Sequence, residues 1–117
     1  MTTRVLICDD EPALRELMRV ALVGDYEFAE AGSVTESIEV GQEFKPHVAL
    51  VDVMMPGGSG LEVVQALGAT KCLVVSAFAA ETDQEEAREA GAVGFVSKPF
   101  DPDELSTAVA ELVVDDG

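Results

Sequence analysis

Five short strand-like runs, most of them apolar, alternate along the chain with longer stretches of helical period, and this alternation limits the possible folds more than any other feature. The runs lie near residues 4–8, 26–30, 48–51, 71–75 and 92–96. Some, such as Leu73-Val74-Val75, are apolar at every position, which is typical of strands buried on both faces of a sheet. Strands that alternate with helices predict a doubly wound α/β fold, in which a five-stranded parallel sheet carries five helices on its two faces.

Capping residues and apolar spacing predict where the helices lie. The first helix is expected near Glu11–Val23, with Asp10 as its cap, Pro12 in its first turn and Gly24 at its end. Its expected inner face consists of Leu14, Leu17, Met18, Ala21 and Leu22. The other helices are predicted after Ser33, where Glu36 completes a capping-box spacing, near Leu61–Leu67 and Glu81–Ala90, and from Asp101 onward.

Composition limits the class of protein and its partners. With 117 residues and a 48% hydrophobic fraction, residues 1–117 are expected to form a single domain. No apolar run reaches the roughly 20 residues of a membrane span, and no signal peptide is visible, so a cytoplasmic location is expected. A formal net charge of −16 repels polyanions, so we expect no direct nucleic acid and no membrane partner. Cys8 and Cys72 are predicted to be buried free thiols.

Polar residues follow four of the apolar runs. Asp9 and Asp10 follow the first, Asp52 the third, and Lys98 the fifth, while Ser76 closes the fourth. The carboxyl ends of parallel strands meet at one edge of a sheet, so these side chains are expected to converge. Three carboxylates repel one another, and Mg²⁺ together with the lysine ammonium supplies three balancing positive charges. The pattern predicts a site for Mg²⁺ and a phosphoryl group, with Asp52 as the candidate acceptor.

The order and spacing of these motifs resemble those of a response-regulator receiver domain over essentially the whole chain. The motifs are Asp9-Asp10, Asp52 followed by Met54-Met55-Pro56-Gly57 and Gly60, Ser76-Ala77, Ala90-Gly91-Ala92 and Lys98-Pro99-Phe100. The resemblance implies a flavodoxin-like sheet with strand order 2-1-3-4-5. It also implies a signalling domain of a two-component phosphorelay that assists its own phosphorylation and dephosphorylation, rather than an enzyme with a separate substrate.

The resemblance further implies who phosphorylates the domain and which residues bind the metal. The donor would be a phosphohistidine on a sensor histidine kinase or a histidine phosphotransfer protein, and the acceptor would be Asp52. Mg²⁺, for which Mn²⁺ can substitute, would be held by Asp9, Asp10 and Asp52 and by the backbone carbonyl of Met54.

The remaining implied roles concern the response to phosphorylation. Ser76 and Lys98 would contact the phosphoryl group, and Phe95 would turn inward when Ser76 moves toward it. The surface of the fourth helix, fifth strand and fifth helix would then control an output protein or an attached effector domain, and it can also serve as a dimer interface. The apolar residues Met54 and Phe78 flank the expected site, and we hypothesise that they slow hydrolysis.

Three other functions fit parts of the pattern. A Mg²⁺-dependent phosphatase with an aspartate nucleophile normally places that nucleophile after the first strand and needs room for a cap. A flavin-binding protein of the flavodoxin type would not place Asp9-Asp10-Glu11 against a phosphate. A degenerate receiver acting as a constitutive binding module would not need the complete set of acids, hydroxyl and lysine. The isomer of the Lys98–Pro99 bond is left open, and His47 is expected to be an exposed loop residue.

Overall fold

The five predicted strands form one parallel sheet in this computed structural model, which describes residues 2–77 and 81–115, with the side chains at 81, 82, 114 and 115 outside the description. The strands are β1 (Thr3–Cys8), β2 (Tyr26–Ala31), β3 (Val48–Val51), β4 (Lys71–Ser76) and β5 (Gly94–Ser97). Their order is β2-β1-β3-β4-β5, and every neighbouring pair is parallel. The predicted strand order is confirmed.

Helices cover both faces of this sheet. They are α1 (Pro12–Ala21), α2 (Val34–Phe44), α3 (Gly60–Ala66), α4 (Glu81–Ala90) and α5 (Pro102–Asp115). Alternate residues of a strand point to opposite faces. Accordingly, Leu6 and Cys8 belong to the core cluster that includes residues of α2, α3 and α4, whereas Val5 and Ile7 belong to the cluster beneath α1 and α5. All four residues of β3 are buried, as expected for the central strand.

The first helix differs from its prediction at both ends. Its N-cap is Glu11 rather than Asp10, because the Asp9 carboxylate accepts the Glu11 backbone N–H at 2.9 Å and holds Asp10 in the preceding loop. The C-cap is Leu22, so the helix stops before Gly24. Leu17 was expected on the inner face, but it is 56% exposed.

The capping box occurs at a different helix from the one predicted. Ser33 does cap α2, since its hydroxyl accepts the Glu36 backbone N–H at 3.1 Å, but the Glu36 carboxylate bonds the backbone N–H of Gly32 instead of that of Ser33. The complete box begins α3, where the Glu62 carboxylate accepts the Ser59 backbone N–H at 3.0 Å. A short hairpin of Met54–Met55 and Gly58–Ser59, which was not predicted, leads into this box.

His47 was expected to be exposed, but it is partly buried because its Nδ1 accepts the Arg4 backbone N–H at 3.0 Å. The Lys98–Pro99 bond, left open by the sequence, is cis. Within residues 2–77 and 81–115, none of the helices is long and apolar enough to cross a membrane.

Candidate functional site

Three carboxylates meet at the carboxyl edge of the sheet. Asp9 follows β1 and is fully buried, while Asp52 follows β3 and is 7% exposed. The two strand ends are joined by the Asp52 backbone N–H, which donates to the carbonyl of Cys8 at 2.9 Å. Asp10 lies on the exposed side, and the carboxylates of all three acids approach within 4.8 Å of one another. The predicted convergence of these acids is therefore present.

Lys98 joins the two buried acids. Its Nζ lies 2.6 Å from Asp9 Oδ2 and 2.8 Å from Asp52 Oδ2, and its side chain is only 14% exposed. The opposite oxygen of Asp52 accepts the backbone N–H of Met54 at 3.0 Å. Both oxygens of the Asp52 carboxylate are thus oriented, one by an ammonium group and the other by the backbone.

These contacts also determine the charge of the lysine. Burial alone would lower the pKa of Lys98, but hydrogen bonds and charge attraction from Asp52 and Asp9 outweigh burial, so its pKa lies above the ordinary value. Because the raised pKa favours the ammonium form, the pairing stabilises the fold fully below the ordinary lysine pKa of about 10.4 and is lost only at higher pH. Lys98 is therefore cationic at neutral pH.

The donor set suits a hard divalent cation. Three carboxylates and one ammonium leave an excess of two negative charges within a few ångströms. Carboxylate oxygens are the ligands that Mg²⁺ and Ca²⁺ prefer, and Asp10 leaves one side of the cluster open to solvent. The cluster could therefore hold a metal ion.

The other predicted site residues differ in how deeply they are buried. Ser76 ends β4, the strand beside β3, and is fully buried, and its backbone carbonyl accepts the Lys98 N–H at 2.8 Å. Met54 lies two residues after Asp52 in the sequence, and its residue is 59% exposed. Phe95 is partly buried and packs against the core cluster on the α4 side of the sheet. Phe78 lies outside the described residues.

Gly60 contributes to the site for a steric reason that the motif alone did not reveal. Its backbone N–H donates to the Val53 carbonyl at 2.9 Å, which holds the start of α3 against the segment that follows β3. A Cβ at this position would collide with the carbonyl oxygen of Asp52. Only glycine allows this close approach.

Sequence reasoning missed Arg15 altogether. Its Nη1 donates to the backbone carbonyl of Asp9 at 2.5 Å, and its Nε bonds Glu30 at 2.8 Å. An arginine six residues after the first acid, and an acid at the end of β2, are the signals that could have identified this contact. Each is common on exposed helix and strand surfaces, and neither forms a motif by itself.

Comparison with known proteins places these features in a family. Residues 5–110 match the family model described as "Response regulator receiver domain". The chain is 33% identical over 113 residues to the DNA-binding response regulator MtrA of Mycolicibacterium smegmatis, covering 93% of this chain. Among solved structures it resembles a LuxR-family two-component response regulator from Aurantimonas, with TM-score 0.88, 28% identity and coverage of 98% of this chain and 87% of that one. It also superposes on a CheY-like receiver protein from Methanospirillum hungatei with TM-score 0.91, 23% identity and coverage of 98% and 96%.

The comparison corrects the expectation about nucleic acid. The chain spans about half the length of MtrA, covering 50% of it, and MtrA is a DNA-binding protein by name. Excluding nucleic acid from the partners was therefore wrong. The error arose because a net charge of −16 describes the surface of these 117 residues and says nothing about a DNA-binding segment elsewhere in a longer regulator.

Proposed function

This chain belongs to the response regulator receiver domain family, and on that premise we propose that Asp52 accepts a phosphoryl group from a phosphohistidine on a sensor kinase or phosphotransfer protein in the cytoplasm. The observation that carries the proposal is the bridge from Lys98 to Asp9 and Asp52, with Nζ–oxygen distances of 2.6 and 2.8 Å. A buried ammonium beside two acids neutralises charge where a phosphoryl group would arrive.

Phosphoryl transfer requires mainly positioning and charge neutralisation from the protein. A carboxylate oxygen of Asp52 forms a bond to phosphorus while the bond from phosphorus to the donor's imidazole nitrogen breaks, and that nitrogen keeps the electron pair. Asp9, Asp10, Asp52 and the Met54 carbonyl would hold Mg²⁺, which when bound neutralises charge on the phosphoryl oxygens. Lys98 already contacts an Asp52 oxygen, so its ammonium is positioned to bind a phosphoryl oxygen after transfer.

Hydrolysis would return the site to its starting state. A water oxygen attacks phosphorus, the bond to the Asp52 oxygen breaks, and inorganic phosphate leaves with the aspartate restored as a carboxylate. The exposed Met54 side chain offers no group that could orient this water, which supports slow hydrolysis. The domain would therefore stay phosphorylated for longer, because it would assist phosphoryl uptake more than hydrolysis.

The response would pass from Ser76 to Phe95. The Ser76 hydroxyl, at the end of β4, would donate to a phosphoryl oxygen, and Phe95 in the neighbouring β5 would move inward behind it. Register supports this route, since β4 and β5 pair Val74 with Phe95 and Ser76 with Ser97. The α4–β5–α5 surface would then change its contacts with an output protein, an attached effector domain or a second copy of the chain.

The relatives suggest what kind of output is controlled. MtrA, a DNA-binding response regulator, is about twice as long as the segment that this chain covers. We propose that this domain regulates a DNA-binding effector, either in the same polypeptide or in a partner protein.

Intact mass after incubation with acetyl phosphate and Mg²⁺ tests the acceptor. The parent protein should gain about 80 Da, one phosphoryl group, and the gain should disappear with EDTA or in Asp52→Asn. Asp25→Asn is the matched control, because Asp25 is an exposed aspartate in the loop between α1 and β2 and should not affect labelling. An adduct that survives Asp52→Asn, or no adduct on the parent, would refute the assignment.

A further inference from the structure

The guanidinium group of Arg15 lies behind the acid cluster rather than in it. From the first turns of α1, its Nη1 reaches the backbone carbonyl of Asp9 at 2.5 Å. That carbonyl belongs to the peptide group that joins Asp9 to Asp10, and a peptide group is planar. Fixing the direction of this oxygen therefore fixes the plane from which the Asp10 side chain departs.

A carboxylate on β2 holds the guanidinium in place. Glu30 accepts from Arg15 Nε at 2.8 Å and from Arg19 Nη1 at 2.6 Å. Burial alone would raise the pKa of Glu30, but its hydrogen bonds and charge attraction to the two arginines outweigh burial and lower it, so Glu30 is charged at neutral pH. The two arginines differ in depth, because the Arg15 side chain is 18% exposed and that of Arg19 is 48% exposed.

The neighbouring loop is shaped around this contact. A Cβ at Gly32 would lie 3.3 Å from Arg15 Nη1 and 3.9 Å from the Asp9 carbonyl oxygen, so a larger residue would crowd the guanidinium. The Asp9 backbone N–H donates to the Ala31 carbonyl at 3.0 Å on the same side. Both polar atoms of the Asp9 backbone are thus fixed by groups outside the acid cluster.

We propose that Arg15 is a positioning residue for the divalent metal, which orients the Asp9–Asp10 peptide and thereby places the Asp10 carboxylate toward Asp52. The inference rests on the proposed function, because it assumes that these acids bind Mg²⁺. Arg15 touches no carboxylate of the cluster in the described contacts. It would act through a backbone oxygen, and a charged donor makes a stronger hydrogen bond there than a neutral one.

The direction in which Mg²⁺ affinity changes when Arg15 is removed distinguishes a positioning role from a purely electrostatic one. A guanidinium near the cluster repels a cation, so removing it should tighten Mg²⁺ binding if charge were its main influence. If Arg15 instead orients the peptide, its removal should weaken binding. Losing a group that orients a metal ligand typically costs about tenfold or more in affinity.

Arg19 supplies the matched control. Arg15→Ala and Arg19→Ala each remove one positive charge and one partner of Glu30, but only Arg15 contacts the Asp9 carbonyl. Titration with MgCl₂, followed by amide ¹H–¹⁵N NMR of the full chain, should show about tenfold weaker binding in Arg15→Ala. Arg19→Ala should stay within about twofold of the parent, because exposed charges are screened by salt. Arg15→Gln, which keeps much of the side-chain stem, replaces Arg15→Ala if the alanine variant does not fold.

The outcomes distinguish this inference from the proposed function. Unchanged or tighter Mg²⁺ binding in Arg15→Ala overturns the positioning role while leaving the metal site intact. Equal weakening in both arginine variants overturns it too, because the effect would then come from losing support at Glu30. If the parent protein shows no Mg²⁺-dependent shifts, the proposed function fails and this inference fails with it.

Discussion

Replacing Gly60 by alanine should displace Asp52, the proposed phosphoryl acceptor, without changing the Asp52 side chain. A Cβ at residue 60 would collide with the Asp52 carbonyl oxygen, and it would lie 2.8 Å from the Asp52 carbonyl carbon and 2.9 Å from Val53 Cα. All three are backbone atoms, so no side-chain rotation can relieve the contact. Either the start of α3 or the backbone at residues 52–53 must move.

The size of the displacement sets the expected loss. An ordinary contact between carbon and a carbonyl oxygen is about 3.3 Å, so relief requires a shift on the order of 1 Å. Overpacking of this kind costs about 1–3 kcal/mol, which corresponds to a fall of about 4–12 °C in the unfolding midpoint of a domain this size. A misplacement of about 1 Å at a reacting group can slow its reaction about a hundredfold. We therefore expect Gly60→Ala to fold, with reduced stability and strongly slowed phosphorylation.

Gly68→Ala is the matched control for this experiment. A Cβ at residue 68 meets nothing closer than the Gln65 carbonyl oxygen at 4.0 Å. That variant should keep the parent's phosphorylation rate, and its stability should be unchanged or raised by up to about 1 kcal/mol. Phosphorylation rates come from intact mass over time with acetyl phosphate, and midpoints from thermal unfolding by circular dichroism. Parent-like values of both in Gly60→Ala would show that the close approach has no consequence for the site.

Two further predictions concern the charges of the acid cluster and the two buried thiols. Asp10→Asn should raise the unfolding midpoint by a few degrees without metal, because it relieves repulsion among three nearby carboxylates. Saturating Mg²⁺ should reverse that order, since the metal stabilises the parent more than the variant; an advantage that persists in Mg²⁺ would argue against a metal ligand. Burial raises the pKa of Cys8 to about 12 and of Cys72 to about 11. At pH 8 neither thiol of the folded protein should react with a disulfide reagent, whereas both should react in guanidinium chloride, and prompt labelling of the native chain would contradict their burial.

The sheet could be predicted because its signal is distributed over many residues. Most of the strands are apolar runs, and all four residues of β3 are buried, so the two glutamates of β2 did not obscure the pattern. The ends of α1 were less certain because capping depends on one or two hydrogen bonds. Asp9, rather than Asp10, bonds the Glu11 N–H, and this choice of partner shifted the cap by one residue.

The acids and the lysine of the site could be predicted for a topological reason. Asp9, Asp52 and Lys98 follow parallel strands, so the fold brings them to one edge whatever the details of the loops. The direction in which each carboxylate oxygen points could not be predicted in this way. It depends on backbone donors such as the Met54 N–H, whose position comes from a hairpin that no sequence signal predicted.

Arg15 and Gly60 share the property that hid their roles. Both act on backbone carbonyls, the first on that of Asp9 and the second on that of Asp52. A backbone carbonyl is present at every residue, so sequence carries no mark of which one is held or closely approached. The two residues fix the backbone in different ways. Arg15 holds the Asp9 peptide by a hydrogen bond, whereas Gly60, which has no Cβ, leaves room for the Asp52 peptide. Because the Asp9 and Asp52 carboxylates share the Lys98 ammonium, substitutions at the two positions should couple in their effects on the free energy of unfolding, and additive effects in a double-mutant cycle would mean that the two peptides respond independently.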